Sequence, residues 1–363
     1  MSSTSSSLSP SRRPPLDFGY LNDLNDEQRQ AVLAPSGPLI VLAGAGTGKT
    51  RVITARIAYL IHEKGLASQD ILALTFSKKA AEEMAQRVEK LLGIPSDALE
   101  IFTFHGFCHR FLEEHGVKLG LATPLRLLDR AETWVFLHKL MPELRLVHHW
   151  NLADPTGCIE GFIKFIQRAK HELVGPEEYA AYVAALTDPK RRAQEEEVAY
   201  VYRLYQERMR ACGYMDFEDL IVETVLALKE HPVWLEALRR RYRAILVDEF
   251  QDTNVAQIEL LKLLADDGKG LCVVGDDDQA IYRFRGASFA SFILLKQAYP
   301  NVQTIRLIRN YRSSCVILSV ADRLIRHNEP DRYDPNKVLQ ANQPNGLPVE
   351  VWFCRDDGDE AER

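Results

Sequence analysis

A chain of 363 residues, 46% hydrophobic and 26% charged, is long enough for two or more compact units with real cores. Its net charge of −6 excludes a basic coat, so any contact with nucleic acid would need a local groove. No run approaches the roughly 18–20 apolar residues of a membrane span, and six scattered cysteines without a CxxC pair fit a reducing, cytoplasmic setting.

The start, MSSTSSSLSPSRRPP, is rich in Ser and Pro, and residues 1–20 read as a disordered arm. No apolar stretch follows its two arginines, which excludes a secretory signal. Short apolar runs at 39–42, 71–74, 99–102, 244–247, 271–274 and 302–307 each end in polar or glycine-rich loops. Helical patterns follow most of them, so the fold class is α/β with a parallel sheet, and ligands belong at the carboxyl ends of the strands. Between about Phe107 and Cys212 long helical stretches such as ETWVFLHKLM and EEVAYVYRLYQERMR take over without a convincing strand. We read 107–211 as a helical insertion within one α/β domain, against the alternative of a separate helical domain.

The strongest local signal is PLIVLAGAGTGKT, residues 38–50: a strand, a glycine-rich turn, then Lys-Thr opening a helix. Phosphate binding calls for this order. Gly44, Gly46 and Gly48, with Ala45 and Thr47 between them, let backbone N–H groups curl around an anion at a helix N-terminus. Lys49 reaches β/γ oxygens, and the Thr50 hydroxyl can ligate Mg²⁺. The first glycine of the usual GxxxxGK[ST] pattern is Ala43 here. The run RAILVDEFQD (243–252) then delivers Asp248 and Glu249 to the end of a strand. Asp248 would hold Mg²⁺ through its water shell while Glu249 orients and deprotonates the attacking water. Taken alone, the same pair could be an acidic helix cap.

Seven stretches occur in one order: LNDEQRQAV (24–32), AGAGTGKT (43–50), LTFSKKAAEEM (74–84), TFHGFC (103–108), VDEFQDTN (247–254), VGDDDQAIYRFRGA (274–287) and NYRSS (310–314). Together they resemble the N-terminal half of UvrD/Rep/PcrA-type superfamily 1 DNA helicases. The resemblance implies a RecA-like P-loop ATPase domain over 21–106 and 212–303, carrying the insertion, and the start of a second RecA-like domain over 304–363. It also implies ATP and Mg²⁺ as cofactors, single-stranded DNA and duplex–single-strand junctions as partners, and 3′→5′ translocation in DNA repair, replication or recombination.

By the same resemblance Gln28 reads the adenine edge, Tyr311 stacks on the base and Arg51 faces it. Gln279 senses the γ-phosphate, and Arg312 stabilises transition-state charge on it. Phe76, Thr103, His105, Tyr282, Phe284 and Arg285 face DNA, with Phe284 standing where many relatives carry tryptophan. The three aspartates 276–278 suggest a metal at first sight. Asp248 already fills that role, which leaves Asp276 to support the phosphate site and Asp277 and Asp278 as turn residues. A zinc reading of His105, Cys108 and His109 lacks a fourth ligand of suitable spacing. The family's later motifs do not follow NYRSS, so the chain is expected to be an N-terminal fragment that turns over ATP poorly and does not unwind DNA alone. Two rival readings are a non-catalytic ATP- and nucleic-acid-binding regulator and a small-molecule P-loop kinase. The latter leaves FHGFC, DEFQD and YRFRGA without purpose.

Overall fold

The computed structural model describes residues 19–280, 291–329, 332–356, 358 and 360. One helical turn, α1 (Gly19–Asn22), falls where the arm was expected to end and leads into α2 (Asp26–Leu33). A capping box starts α2: Asn25 Oδ1 accepts the Gln28 N–H at 2.8 Å, and Gln28 Oε1 accepts the Asn25 N–H at 3.1 Å. Strands and helices then alternate as β1 (Leu39–Ala43), α3 (Lys49–His62), β2 (Ile71–Thr75), α4 (Lys78–Leu92), β3 (Glu100–Thr103) and α5 (Phe104–His115). A helical stretch follows, with β4 (Arg126–Leu127), α6 (Arg130–Leu140), α7 (Ile159–His171), α8 (Pro176–Ala184), α9 (Pro189–Ala211) and β5 (Tyr214–Met215). Next come α10 (Phe217–Glu230), α11 (Pro232–Arg241), β6 (Ala244–Val247), α12 (Val255–Ala265) and β7 (Leu271–Gly275). The last elements are α13 (Ser291–Ala298), β8 (Gln303–Leu307), β9 (Arg309–Asn310), α14 (Cys315–Ile325) and β10 (Gln340–Ala341).

The main sheet has six strands in the order β3-β2-β6-β7-β1-β8, every neighbouring pair parallel. Its four inner strands, β2, β6, β7 and β1, read as continuous apolar runs because both faces are covered. Side chains alternate between the faces. Ile40, Leu42, Leu72 and Leu74 join a core built with α5, α10, α12 and α13, while Leu39, Val41, Ile71 and Ala73 join one built with α2, α3 and α4. All six expected strands are present, and the fold is α/β as read from the sequence.

Three details differ from expectation. The apolar stripe of α5, with Phe107, Cys108, Phe111 and Leu112, packs in the sheet core, so this helix does not belong to the insertion expected to begin at 107. A third core, including Leu137, Phe162, Ile166 and Tyr202, holds the inserted helices together. Its neck is closed by the pairing of β4 with β5, strands of two residues that carry no detectable period. Finally, the sheet takes in β8 beside β1, past the boundary expected at residue 303. Among the described residues no helix is long and apolar enough to cross a membrane.

The third core and the sheet core meet at a buried ion cluster. Asp216 caps α10 through a box with Asp219, and Lys170 of α7 reaches Asp216 at 2.6 Å and Asp219 at 2.7 Å. The Tyr205 hydroxyl donates to Asp216 at 2.9 Å.

Candidate functional site

Strands β6, β7 and β1 are neighbours, so the loops at their carboxyl ends converge. After β1, the loop 44–48 turns through left-handed backbone at Gly46 (φ 72°) and Gly48 (φ 92°), conformations that favour glycine. The buried Thr47 hydroxyl donates to the Gly44 carbonyl at 2.8 Å and tightens the turn. Gly48 caps α3 without a side chain, leaving the first N–H groups of the helix turned to the loop. Lys49 and the half-buried Thr50 open that helix. Gln28 supports the loop from behind: its Nε2 donates to the Thr47 carbonyl at 2.8 Å while its Oε1 serves the capping box. An amide has two donors and two acceptor sites, so one of each remains for a base edge. Arg56 of α3 is buried and donates to the carbonyls of Ala31, Val32 and Ala34 at 2.8, 3.0 and 3.1 Å. It ties the end of α2 to the phosphate helix, and nothing in its local sequence distinguished it.

After β6, Asp248 is buried and its Oδ1 accepts the Glu249 N–H at 2.9 Å. Burial, then the charge of Glu249, push its carboxyl up to about 6. Glu249 itself has left-handed backbone (φ 49°, ψ 46°), a strained choice for a residue with a Cβ. That turn aims its carboxylate at Lys49, 2.7 Å away. Gln251, which sequence reasoning missed, joins two motifs: its Nε2 donates to Glu249 Oε2 at 2.7 Å, and its Oε1 accepts the Asp276 N–H at 2.9 Å. Gln279 Nε2 donates to Asp276 Oδ2. One bonded string therefore runs Lys49–Glu249–Gln251–Asp276–Gln279. Beside it, Asp252 Oδ1 is buried without a hydrogen-bond partner, and burial and Glu249 push that carboxyl to about 6 as well. A hard cation takes oxygen donors, and Asp248 at the end of β6 and the Thr50 hydroxyl at the start of α3 are the ones that would hold Mg²⁺ here.

From the end of β9, the segment 310–312 lies on the 44–48 loop. Asn310, also not anticipated, is fully buried; its Nδ2 donates to the Ala45 carbonyl at 2.5 Å. The Tyr311 N–H donates to the Gly46 carbonyl at 2.9 Å, and a Cβ on Gly46 would stand 2.6 Å from Arg312 Cβ. The Tyr311 hydroxyl accepts from Asn25 Nδ2 at 2.9 Å, which brings this ring to the Gln28 side of the loop. Arg51 pairs with Asp23 at 3.3 Å, both exposed.

The residues expected to face DNA lie at the ends of β2 and β3. Phe76 is 41% exposed between β2 and α4. Thr103 caps α5, its Oγ1 accepting the Gly106 N–H at 3.0 Å. His105, in the first turn of α5, sits edge-on to Phe217 at 6.3 Å, and burial lowers its basicity. Tyr282, Phe284 and Arg285 lie outside the described residues. Cys108 is fully buried, and burial pushes its thiol up to about 12. Among the described residues the one group of three His, Cys, Asp or Glu side chains close enough for a metal is Asp276–Asp278. The backbone of Asp277–Gln279 is a 3₁₀ turn, yet Asp277 and Asp278 are more than turn residues, because Lys337 is bound among all three carboxylates.

A family model described as the UvrD/REP helicase N-terminal domain matches residues 24–300. The chain belongs to the UvrD/REP helicase family. It is 38% identical over 338 residues to the ATP-dependent DNA helicase PcrA of Bacillus subtilis, covering 93% of this chain and 42% of that relative. To the protein of the same name from Staphylococcus aureus (strain Mu50 / ATCC 700699) it is 36% identical over 345 residues, covering 94% of this chain and 45% of the relative. The chain thus spans less than half the length of these relatives. The UvrD/REP match takes in the loop 44–48, Asp248, Glu249 and Gln279, whereas 310–312 and Lys337 lie beyond it.

Proposed function

We propose that this chain provides the nucleotide-hydrolysing part of an ATP-driven DNA helicase that moves along single-stranded DNA. The observation that carries this reading is the bonded string that links Lys49, the strained Glu249 and Gln279 across three adjacent strand ends. Residues 44–50 wrap the phosphates, with Lys49 on the β/γ oxygens. Gln28, Tyr311 and Arg51 hold the base. Mg²⁺ bound by Thr50 and Asp248 would neutralise phosphate charge. Glu249 shares its carboxylate with Lys49 and Gln251; when phosphate draws Lys49 away, Glu249 is free to take the proton of the attacking water. Gln279 and Arg312 then meet the γ-phosphate, where an arginine offsets developing charge.

Phe76, Thr103, His105, Tyr282, Phe284 and Arg285 are the residues that would meet DNA, where aromatic stacking suits a motor indifferent to sequence. The 3′→5′ direction, the preference for duplex–single-strand junctions and service in repair, replication or recombination follow from the family resemblance. Six free thiols support a reducing, cytoplasmic setting.

The test is ATP turnover by this chain with and without single-stranded DNA. We expect slow hydrolysis that Lys49→Ala abolishes; unchanged turnover in that variant would overturn the site assignment.

A further inference from the structure

Lys337 lies outside every motif the sequence brought forward, yet its side chain is 1% exposed. Its Nζ contacts Asp276 Oδ1 at 2.5 Å, Asp277 Oδ1, and Asp278 Oδ2 at 3.1 Å. Arg332 adds a two-pronged contact to Asp278 at 2.9 and 2.8 Å, and the Asp334 N–H donates to Asp277 at 3.1 Å. Three adjacent carboxylates would repel one another if left together in a dry corner. Here two cations from one short segment hold them in place.

The same segment reaches the other half of the site. Leu339 covers Gly44, where an added Cβ would stand 2.5 Å from Leu339 Cδ2. One residue later β10 begins, paired with β9, which leads directly into the residues seated on the phosphate loop. Lys337 is thus tied through β10 and β9 to Asn310–Arg312, and it grips the aspartate that holds Gln279 and Gln251.

We propose that Lys337 is a positioning residue: by fixing Asp276 it sets Gln279 for the γ-phosphate and reports to it where the β9–β10 unit stands. This rests on the nucleotide-site reading above. Neutralising charge alone would make Lys337 merely structural, and the two roles separate experimentally. A lone repulsion is relieved by removing a carboxylate; a lost bond to Asp276 is not.

The experiment compares the wild-type chain, Lys337→Met, and Lys337→Met combined with Asp277→Asn. It reads the affinities for a fluorescent ATP analogue and its ADP counterpart, the melting temperature, and amide hydrogen exchange over 275–280. We expect Lys337→Met to keep ADP affinity but lose about tenfold of its preference for ATP, the worth of one charge-assisted bond. Exchange over 275–280 should rise. The double variant should regain melting temperature without regaining the ATP preference. An ATP preference unchanged in Lys337→Met, or restored together with stability in the double variant, overturns the proposal. If the wild-type chain binds neither nucleotide, the nucleotide-site reading fails by itself. Hydrogen exchange still decides the positioning, and unchanged exchange over 275–280 in Lys337→Met overturns it.

Discussion

Lys170 and Lys337 are buried to nearly the same degree, 3% and 2% exposed, and both are held by aspartates at the start of a helical turn. In both, burial works against the ammonium but the facing aspartates more than offset it and hold the lysine above its ordinary range. Their settings differ. Lys170 lies between the core of the inserted helices and the sheet core, with Tyr205 of α9 and Asp219 of α10 around it. Lys337 belongs to a short segment laid over the ends of β7 and β1, with exposed chain close by. Equal burial therefore does not mean equal consequence. What matters is whether the cluster can open without taking a core with it.

The largest effect is expected at Lys170. Lys170→Met leaves Asp216 and Asp219 facing each other in the interior and should lower unfolding free energy by about 3–5 kcal/mol. Adding Asp216→Asn and Asp219→Asn, which keep the helix cap, should recover most of it. Urea denaturation of the three chains checks this; an equal loss in single and triple variants would show that packing, not charge, decides.

Next is a pH effect beside the same cluster, where His171 Nε2 stands 3.8 Å from Glu218 Oε1. Burial, then the charge of Asp216, raise Glu218 to about 7, while burial, with His105 and Arg168 adding to it, lowers His171 to about 4. Glu218 binds a proton more readily in the fold, so its stabilisation is lost as pH rises from the ordinary glutamate range to about 7. His171 is held neutral, so its contribution is lost as pH falls from about 6.5 to about 4. The two slopes oppose each other in the shared window. Relative to wild type, Glu218→Gln should lose about 1.4 kcal/mol per pH unit on acidification there, measured by urea unfolding at several pH values. Parallel pH profiles would break the pairing.

The smallest effect on global stability is expected at Lys337. Lys337→Met should cost less than about 1 kcal/mol in cooperative unfolding, because its segment can detach locally. Denaturant midpoints check it; a loss as large as that at Lys170 would erase the distinction between the two clusters.

The sheet was legible because strands buried on both faces spell continuous apolar runs, as at 39–42 and 271–274. Glycines and paired acids marked the loops at 44–50 and 248–249, which the sheet order brings to neighbouring strand ends. The two lysines were not legible. A lysine in sequence reads as surface, and these are buried only because carboxylates 46 and 60 residues away enclose them. Asn310 and Gln251 were hidden for a related reason, since an amide gains its role from what folding brings to each end. That α5 packs in the sheet core was not legible, because an amphipathic stripe does not say which core it will meet.

The place of β1 in the sheet has a mechanical consequence. It is bonded along both edges, Leu39–Leu42 against Cys272–Gly275 and Leu39–Ala43 against Gln303–Leu307. A pull on the phosphate loop along the strand axis must shear two ladders at once, whereas β8 at the margin can be peeled one bond at a time. Load applied at the 44–48 loop therefore spreads sideways before anything yields, through β7 to Asp276 and through β8 to Asn310.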